Sequence, residues 1–207
     1  MKIIKISPRG FGANTYVLTA DDRTALVVDP SSPRIESELI KLGLTPKYVL
    51  LTHCHFDHVG GVFPLQQAGA RVLCSEIEKS LIGTEADLSA LFNAPCANYF
   101  VDETLKDGEN RELCGMKFQT LLTPGHTSGS VCYLFEDTEG KYLFTGDTLF
   151  AGSIGRTDFP TGDMGQLRKS LARLSALDSD MPVYAGHNEE TTLSEERNYN
   201  PFLADVY

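Results

Sequence analysis

The residue types that bind transition metals are concentrated in one short segment of this chain, His53-Cys54-His55-Phe56-Asp57-His58. Only two further histidines occur among the 207 residues, His126 and His187, and each directly follows a glycine. Glycine lets a loop turn tightly and bring the next imidazole inward. A single histidine at a strand end is usually a hydrogen-bonded loop residue, but this joint pattern favours metal binding over five unrelated loop positions.

Two aspartates add carboxylate ligands to the histidines. Side chains of an extended strand alternate with a period of two, which predicts that His53, His55 and Asp57 project to one side. His58 breaks the alternation, and a helix that begins there would turn it toward a second ion. Asp147 follows a glycine at the end of another predicted strand, where it is suited to bridge two cations. Five imidazoles and two carboxylates are enough for two ions with an open position for water.

Two other residues near these ligands have simpler interpretations. Cys54 points away from its neighbouring histidines by the same alternation, so we interpret it as a buried packing thiol. The five cysteines form no CxxC pair, which favours buried free thiols in a reducing compartment. Asp29 precedes Pro30 after a predicted core strand and is interpreted as a turn residue; the alternative is a hydrogen bond to a histidine ligand.

Strands and helices alternate around these residues. Short β-rich runs predict strands at residues 1–6, 16–19, 25–28, 48–51, 71–74, 117–122, 130–135, 141–145 and 183–185. Apolar residues at helical spacing predict helices at residues 35–42, 59–67 and 165–177, one or two helices within 75–92, and a last short helix capped by Ser194. This pattern favours a four-layer αββα sandwich, in which two mixed β-sheets have helices on both outer faces.

Length and composition limit the function classes. A chain of 207 residues with 42% hydrophobic content favours one domain that spans residues 1–207. The net charge of −10 disfavours nucleic acid as a partner, because phosphate binding needs a basic face. We find no secretion signal and no run of about 18 apolar residues that would cross a bilayer. We therefore expect a cytoplasmic protein that binds neither nucleic acid nor membrane.

The segment Thr52-His53-Cys54-His55-Phe56-Asp57-His58-Val59-Gly60-Gly61 resembles the signature of the metallo-β-lactamase superfamily, in its glyoxalase II branch. Pro124-Gly125-His126-Thr127, Gly146-Asp147 and Gly186-His187 follow in that family's order, so the resemblance covers nearly the whole chain. It implies the metallo-β-lactamase fold and a short glyoxalase II-like, or hydroxyacylglutathione hydrolase-like, enzyme.

The resemblance also implies roles for the seven ligand candidates. It assigns them to two ions and a bridge: His53, His55 and His126 to the first ion, Asp57, His58 and His187 to the second, and Asp147 to both. Zinc is the expected metal, with iron or manganese as alternatives. The implied mechanism is attack by a metal-bound hydroxide, which Asp57 orients as the catalytic residue.

The implied substrate is a small-molecule thioester, such as S-lactoylglutathione or a related hydroxyacyl thioester. Arg156 matches a basic position that contacts the glutathione carboxylate in glyoxalase II, and is our candidate for substrate binding. Thr157 and Asp158 stand where that enzyme has aromatic residues. Because the chain ends soon after His187, we expect it to lack the C-terminal helical substrate domain of glyoxalase II.

Other activities compete with thioester hydrolysis. Persulfide dioxygenases share the histidine motif and a stretch similar to Gly155-Arg156-Thr157-Asp158, and they use one iron. A facial set such as His53, His126 and Asp147 suits iron(II) and oxygen. Hydrolysis of another ester or a lactone is a further alternative. The missing secretion signal disfavours a β-lactam substrate, and the complete ligand set disfavours a non-catalytic module.

Overall fold

Two six-stranded β-sheets form the centre of the protein in the computed structural model, which describes residues 1–8, 10, 12–96 and 98–204. In both chain and spatial order, the first sheet contains β1 (Lys2–Ile6), β2 (Thr15–Thr19), β3 (Thr24–Val28), β4 (Thr45–Leu50), β5 (Arg71–Ser75) and β6 (Glu103–Leu105). The first three strands are antiparallel, and β3 to β6 are parallel. The sheet is therefore mixed, as the sequence predicts.

The second sheet is built from the later part of the chain. It contains β7 (Asn110–Leu113), β8 (Met116–Leu122), β9 (Val131–Asp137), β10 (Gly140–Gly146), β13 (Pro182–Ala185) and β14 (Thr191–Thr192). A separate hairpin, β11 (Leu149–Phe150) with β12 (Ser153–Ile154), lies between β10 and β13 in the chain. The spatial order is β14-β13-β10-β9-β8-β7, and β10 pairs with β13 in parallel while the other pairs are antiparallel.

Seven α-helices accompany the sheets in the described residues: α1 (Arg34–Leu42), α2 (Phe56–Val59), α3 (Val62–Gln67), α4 (Glu76–Leu81), α5 (Met164–Ser175), α6 (Leu193–Tyr199) and α7 (Pro201–Ala204). A 3-10 helix spans Glu85–Asp87. None of the helices in the described part of the chain is long and apolar enough to span a membrane.

Alternating side chains of the strands divide the interior into three apolar cores. Val17 and Val49 of the first sheet pack outward with Ile35 and Leu39 of α1. Their neighbours in the strands, Leu18, Leu26 and Leu50, pack inward with residues of the second sheet such as Phe118, Phe135 and Phe144. On the far side, the second sheet packs against Leu167, Leu171 and Leu174 of α5. The period of two thus produces the predicted αββα sandwich, with each sheet buried on both faces.

The predicted helix at residues 59–67 is wrong as a single element, because two glycines divide it. A Cβ atom on Gly60 would lie 2.6 Å from the carbonyl oxygen of Ser31, and one on Gly61 would lie 2.4 Å from that of Ser32. The loop after β3 therefore packs directly on this backbone. The chain turns there between α2 and α3, so α2 becomes a separate short helix that carries Asp57 and His58.

Three smaller predictions also need correction. The N-cap of α6 is Thr192, whose hydroxyl accepts from the backbone N–H of Glu195, and not Ser194. Cys54, Cys74 and Cys132 are buried as expected, but Cys114 is only half-buried and Cys96 is exposed. The sequence pattern also missed the short strands β6, β7, β11, β12 and β14. Four of them have only two or three residues, and β7 has a single apolar residue, Leu113, so none shows an alternation.

Candidate metal centre

All seven predicted ligand side chains meet at one end of the two sheets. β4 ends at Leu50, shortly before the segment that carries His53. β8 leads into the loop of His126, β10 into Asp147 and β13 into the loop of His187. The parallel pairing of β10 with β13 places the last two side by side.

Three imidazoles form the first ligand set, His53, His55 and His126. One ring nitrogen of each lies within 4.8 Å of the others, and all three residues are buried. The Nε2 atom of His126 is 3.0 Å from Nδ1 of His55. This spacing allows two imidazole nitrogens to bind the same cation.

The second set contains Asp57, His58 and His187, and it is the more open of the two. The Nε2 atom of His187 lies 3.3 Å from Oδ2 of Asp57. The side chains of His187 and Asp57 are 31% and 21% exposed, whereas His58 is fully buried. The second set therefore faces the solvent, and a substrate would approach from this side.

Asp147 lies between the two sets. Its Oδ2 atom is 3.4 Å from Nε2 of His187 and 3.5 Å from Nε2 of His126, which belong to different sets. Its Oδ1 atom is 3.3 Å from Nε2 of His58. One carboxylate thus reaches both sets, which is the geometry that a bridging ligand needs.

Asp57 does not follow the alternation that the sequence suggests. Because α2 begins at Phe56, the backbone is helical at Asp57 and not extended. His53 and His55 join one set, while Asp57 is turned toward His187 in the other. The prediction that Asp57 projects with His53 and His55 is therefore wrong.

Hydrogen bonds behind the rings of His53, His58 and His126 select which nitrogen of each faces the centre. Nδ1 of His58 lies 2.9 Å from Oδ2 of Asp29, and Nδ1 of His126 lies 2.7 Å from the backbone oxygen of Arg156. Both partners only accept, so each Nδ1 donates a proton and Nε2 keeps its lone pair for a ligand. The hydroxyl of Thr52, which donates to Asp29, lies 3.1 Å from Nδ1 of His53 and has the same effect.

Asp29 therefore forms the hydrogen bond to a histidine that the sequence analysis gave as the alternative to a simple turn residue. It is buried, and its backbone is left-handed with φ at +49°, as the turn prediction implies. Its carboxylate accepts from the backbone N–H and the hydroxyl of Thr52 and from His58. The parallel pairing of β3 with β4 brings Asp29 beside Thr52, which no local pattern reveals.

Several buried polar atoms at the centre have no hydrogen-bond partner among the described residues. They include Nε2 of His53 and Nε2 of His55. Burying such atoms unpaired costs about 1–3 kcal/mol each. Because His53 and His55 lie with His126 in one group of candidate ligands, these buried imidazoles fit a divalent cation better than an empty polar cavity.

Electrostatics suit the first set to binding as neutral imidazoles. Burial lowers the pKa of His53 well below its ordinary value, and nearby imidazoles lower it further. Burial also lowers the pKa of His55, to about 3. Both rings are therefore neutral at pH 7, which is the form that binds metals.

In the second set, the carboxylates of Asp57 and Asp147 have the opposite effect and favour the protonated form of the nearby imidazole. Burial lowers the pKa of His187, but hydrogen bonds to Asp147 and Asp57 outweigh it and raise the pKa to about 9. Burial raises the pKa of Asp147, but the charge of His58 and hydrogen bonds from His187 and His58 hold it well below its ordinary value. This part of the centre attracts positive charge, which either protons or a divalent cation supply.

Glu78, which the sequence did not single out, joins the two loops of the first set. Its carboxylate is fully buried at the start of α4. One oxygen accepts from the backbone N–H of Cys54 at 2.9 Å, and the other accepts from the hydroxyl of Thr127. Cys54 lies between His53 and His55, and Thr127 follows His126. Glu78 thus holds the segments that carry all three imidazoles.

Arg156 lies near the centre, but its side chain is already paired. Nε and a terminal nitrogen of its guanidinium donate to the two oxygens of Asp158, each at 2.6 Å. The guanidinium carbon is also 4.0 Å from the ring centroid of Phe159. Only the backbone oxygen of Arg156 touches a ligand residue, His126. The guanidinium of Arg156 is therefore an ion-paired group in this structure and not a free cation.

Comparisons with known proteins agree with this geometry. The family model described as the metallo-beta-lactamase superfamily matches residues 8–187. Hydroxyacylglutathione hydrolase GloC of Haemophilus influenzae is 36% identical over 210 residues, which cover 98% of each chain. Each of these comparisons spans the whole set of seven side chains.

Two solved structures share the fold at the level of the whole chain. A structure described as BLEG-1 B3 metallo-beta-lactamase is 32% identical, with a TM-score of 0.89, and covers 98% of this chain and 99% of its own. The structure of TTHA1623 in a di-iron-bound form is 35% identical, with a TM-score of 0.84, and covers 97% and 100%.

Proposed function

This chain belongs to the metallo-β-lactamase superfamily and is a metallo-hydrolase of that fold, and from this premise we propose that it hydrolyses a small-molecule thioester at a dinuclear metal centre. The substrate class that we propose is S-lactoylglutathione or a related hydroxyacyl thioester. The observation that carries the proposal is the presence of two ligand sets joined by Asp147, in a chain that aligns end to end with a hydroxyacylglutathione hydrolase.

The ligand assignment divides the seven side chains. We propose that His53, His55 and His126 hold one cation, that Asp57, His58 and His187 hold the other, and that Asp147 binds both. When bound, two divalent cations lower the pKa of a shared water toward neutrality and polarise the carbonyl of the substrate.

Asp57 is the residue that we propose as catalytic. Its Oδ2 atom faces His187, which leaves Oδ1 to accept a hydrogen bond from the attacking water and orient it toward the carbonyl carbon. Burial raises the pKa of Asp57, but the charge of His58 and a hydrogen bond from His187 outweigh it and lower the pKa below its ordinary value. Asp57 therefore stays ionised near neutral pH and acts as an acceptor.

Zinc is the metal that we propose, with iron or manganese as alternatives. A mainly imidazole ligand set suits zinc and iron equally. The di-iron form of TTHA1623 shows that a protein of similar sequence binds iron. In this chain, Nε2 of His126 and Oδ2 of Asp147 lie 3.5 Å apart, and His53 completes a two-histidine and one-carboxylate set that also suits iron(II).

Elemental analysis combined with a thioester assay tests the proposal. The protein is purified without added metal, its metal content is measured, and hydrolysis of S-lactoylglutathione is followed. We expect two metal ions per chain and turnover of the thioester. We expect Asp147→Asn to lose metal and to lower kcat/KM by at least about 100-fold, because one carboxylate serves both ions. Asp178→Asn, at an 83% exposed side chain, is the matched control.

Three outcomes would contradict thioester hydrolysis and identify an alternative. One iron per chain with oxygen uptake on a glutathione persulfide would indicate a dioxygenase. Metal-loaded protein that is inert to thioesters but cleaves lactones or other esters would shift the substrate class. Hydrolysis of a chromogenic cephalosporin alone would make the chain functionally similar to its β-lactamase neighbour.

A further inference from the structure

Three phenylalanine rings from separate segments meet beside the first ligand set. Phe56 lies in α2, Phe92 follows the 3-10 helix, and Phe159 lies in the loop that precedes α5. The rings of Phe56 and Phe92 are stacked with centroids 5.0 Å apart, and Phe92 meets Phe159 edge-on at 5.9 Å. We refer to Phe56, Phe92 and Phe159 as the aromatic cluster.

The aromatic cluster borders the metal centre directly. The ring of Phe159 meets the imidazole of His55 edge-on, with centroids 6.2 Å apart. Phe56 directly precedes Asp57, whose partly exposed carboxylate belongs to the open side of the centre. A substrate whose carbonyl lies over the two ligand sets would therefore bring one of its substituents against these rings.

Backbone hydrogen bonds hold the cluster in place before any ligand binds. The backbone N–H of Phe92 donates to the oxygen of Leu88 at 3.1 Å, in a turn that follows the 3-10 helix. The backbone oxygen of Phe159 accepts from Gly162 at 2.9 Å, and Asp163 donates to Gly125, next to His126, at 2.8 Å. A preformed surface loses little conformational entropy when a ligand covers it.

The charged side chain that lies over the aromatic cluster is paired with an opposite charge. Arg156 lies over the Phe159 ring, but its charge is matched by the two-point contact with Asp158. Phe92 is nevertheless 47% exposed, and its neighbour Leu91 is 65% exposed. The site therefore offers carbon surface beside the metal centre, which an apolar group would remove from water.

We propose that the aromatic cluster is an apolar subsite that binds an alkyl or aryl substituent next to the scissile bond. This inference rests on the proposed thioester hydrolysis and narrows its substrate class. It favours thioesters with an apolar group over small polar ones, and the group belongs either to the acyl part or to the thiol. The shared chemistry is an uncharged hydrocarbon group that packs against the three rings.

Two matched substrate series test the subsite by kinetics. One series varies the acyl group, from acetyl to butyryl to phenylacetyl, on a single thiol. The other varies the thiol on a single acyl group. We expect kcat/KM to rise about twofold to fourfold per methylene in one of the two series. The series in which it rises shows whether the apolar group belongs to the acyl part or to the thiol. In Phe92→Ala we expect kcat/KM of the most apolar substrate to fall about tenfold, and the rise in kcat/KM per methylene to be lost.

Equilibrium binding separates failure of the subsite from failure of the proposed function. Hydroxamates bind metal centres without being hydrolysed, so acetohydroxamate and phenylacetohydroxamate are titrated calorimetrically into the metal-loaded protein. We expect the phenyl compound to bind about tenfold more tightly to the wild type, and at most about threefold more tightly to Phe92→Ala. This holds even if thioesters are not the substrates.

A matched control distinguishes the subsite from a general effect of losing a surface ring. Phe63→Ala removes a phenylalanine of similar exposure, 40%, from α3, which is outside the aromatic cluster. We expect it to keep the wild-type preference in both experiments. The proposal is wrong if the wild type binds both hydroxamates equally, or if the preference persists in both Phe92→Ala and Phe159→Leu.

Discussion

A histidine binds a metal only through a ring nitrogen that carries no proton, so the atoms behind each ring matter as much as those in front. Three of the five imidazoles here have Nδ1 next to an acceptor, namely Asp29, Thr52 or the backbone oxygen of Arg156. Two of these acceptors, Asp29 and Thr52, are hydrogen-bonded to each other. The ligand set is therefore prepared by a second layer of residues.

Replacing Asp29 by asparagine is expected to weaken binding of the second metal about 10-fold to 100-fold. Asparagine tolerates the left-handed backbone, so the fold is kept. The NH2 group of the asparagine would take the place of Oδ2, which accepts from Nδ1 of His58. Two hydrogen-bond donors, this NH2 group and Nδ1–H, would then face each other. His58 relieves this contact by moving its proton to Nε2, which blocks the ligand atom. Cobalt(II) titration against a chelator of known affinity measures the loss.

Asp22→Asn is the control for this change, because Asp22 also has a left-handed backbone, with φ at +54°, but its side chain is 74% exposed. We expect its metal affinity to equal that of the wild type. Equal affinity of Asp29→Asn and wild type would refute the role of Asp29 in selecting the tautomer.

Among the elements, the strands matter mainly through the loops at their ends. The backbone N–H of Gly186 donates to the oxygen of Gly146 at 2.8 Å, so the loops of His187 and Asp147 are in direct contact. A Cβ atom on Gly186 would lie 2.3 Å from Oδ1 of Asp147 and 2.8 Å from Cε1 of His58. The close approach of two ligands depends on the missing side chain at this position.

Gly186→Ala is therefore expected to displace Asp147 and to reduce the metal content from two ions to one or none, with a loss of stability of about 1–3 kcal/mol. Elemental analysis and urea unfolding measure the two effects. Gly152→Ala serves as the comparison, because a Cβ atom there meets open space. The Gly152→Ala variant is strained, because its backbone has φ at +63°, but we expect it to keep its metal ions. A Gly186→Ala protein with a full metal complement would disprove the steric argument.

On the scale of the whole molecule, the metal centre lies where the two sheets are joined. The hydroxyl of Tyr133 in β9 donates to Leu51 after β4, and that of Tyr16 in β2 donates to Ala185 in β13, each at 2.7 Å. Glu78 adds a carboxylate that bonds to one loop from each sheet. Because these contacts cross between the sheets, packing of the sandwich and geometry of the centre are coupled.

Glu78 is expected to make stability depend on pH in an unusual direction. Burial raises its pKa above the ordinary 4.5, although hydrogen bonds from Cys54 and Thr127 oppose the rise. A carboxyl group with a higher pKa in the folded state binds its proton more tightly there than in the unfolded chain. Its contribution to stability therefore falls as pH rises from 4.5 through the raised native pKa.

Glu78→Gln keeps the shape but cannot ionise. Its carbonyl oxygen can accept from the backbone N–H of Cys54, and its NH2 group can donate to the hydroxyl of Thr127. We expect the unfolding free energy of the wild type, minus that of the variant, to decrease as pH rises above 4.5 and then to level off. Urea unfolding of both proteins after metal removal, at a series of pH values, measures this difference. A difference that is constant with pH would show that the pKa of Glu78 is the same in the folded and the unfolded state. Glu78→Ala removes both hydrogen-bond partners. We expect its unfolding free energy to be lower than that of Glu78→Gln at every pH, by about 1–3 kcal/mol for each group that is left unpaired.

The candidate ligand residues and most of the strands and helices that carry them can be predicted from the sequence. The seven side chains that meet at the centre were all identified from their spacing, because metal-binding chemistry is restricted to a few residue types. The long strands and helices were predicted from apolar periodicity, as β8, β9, α1 and α5 show. The alternation of strands and helices and the resemblance to the family predict the four-layer sandwich.

The residues that surround these candidate ligands could not be predicted, because they come together only in the folded chain. Asp29 reaches His58 across 29 positions of the chain, and Glu78 reaches Thr127 across 49. Gly60 and Gly61 divide a predicted helix because the loop after β3 packs on them, and the aromatic cluster combines three distant segments. Periodicity and motif spacing describe only neighbours along the chain, whereas these features arise from contacts that exist once the two sheets have packed.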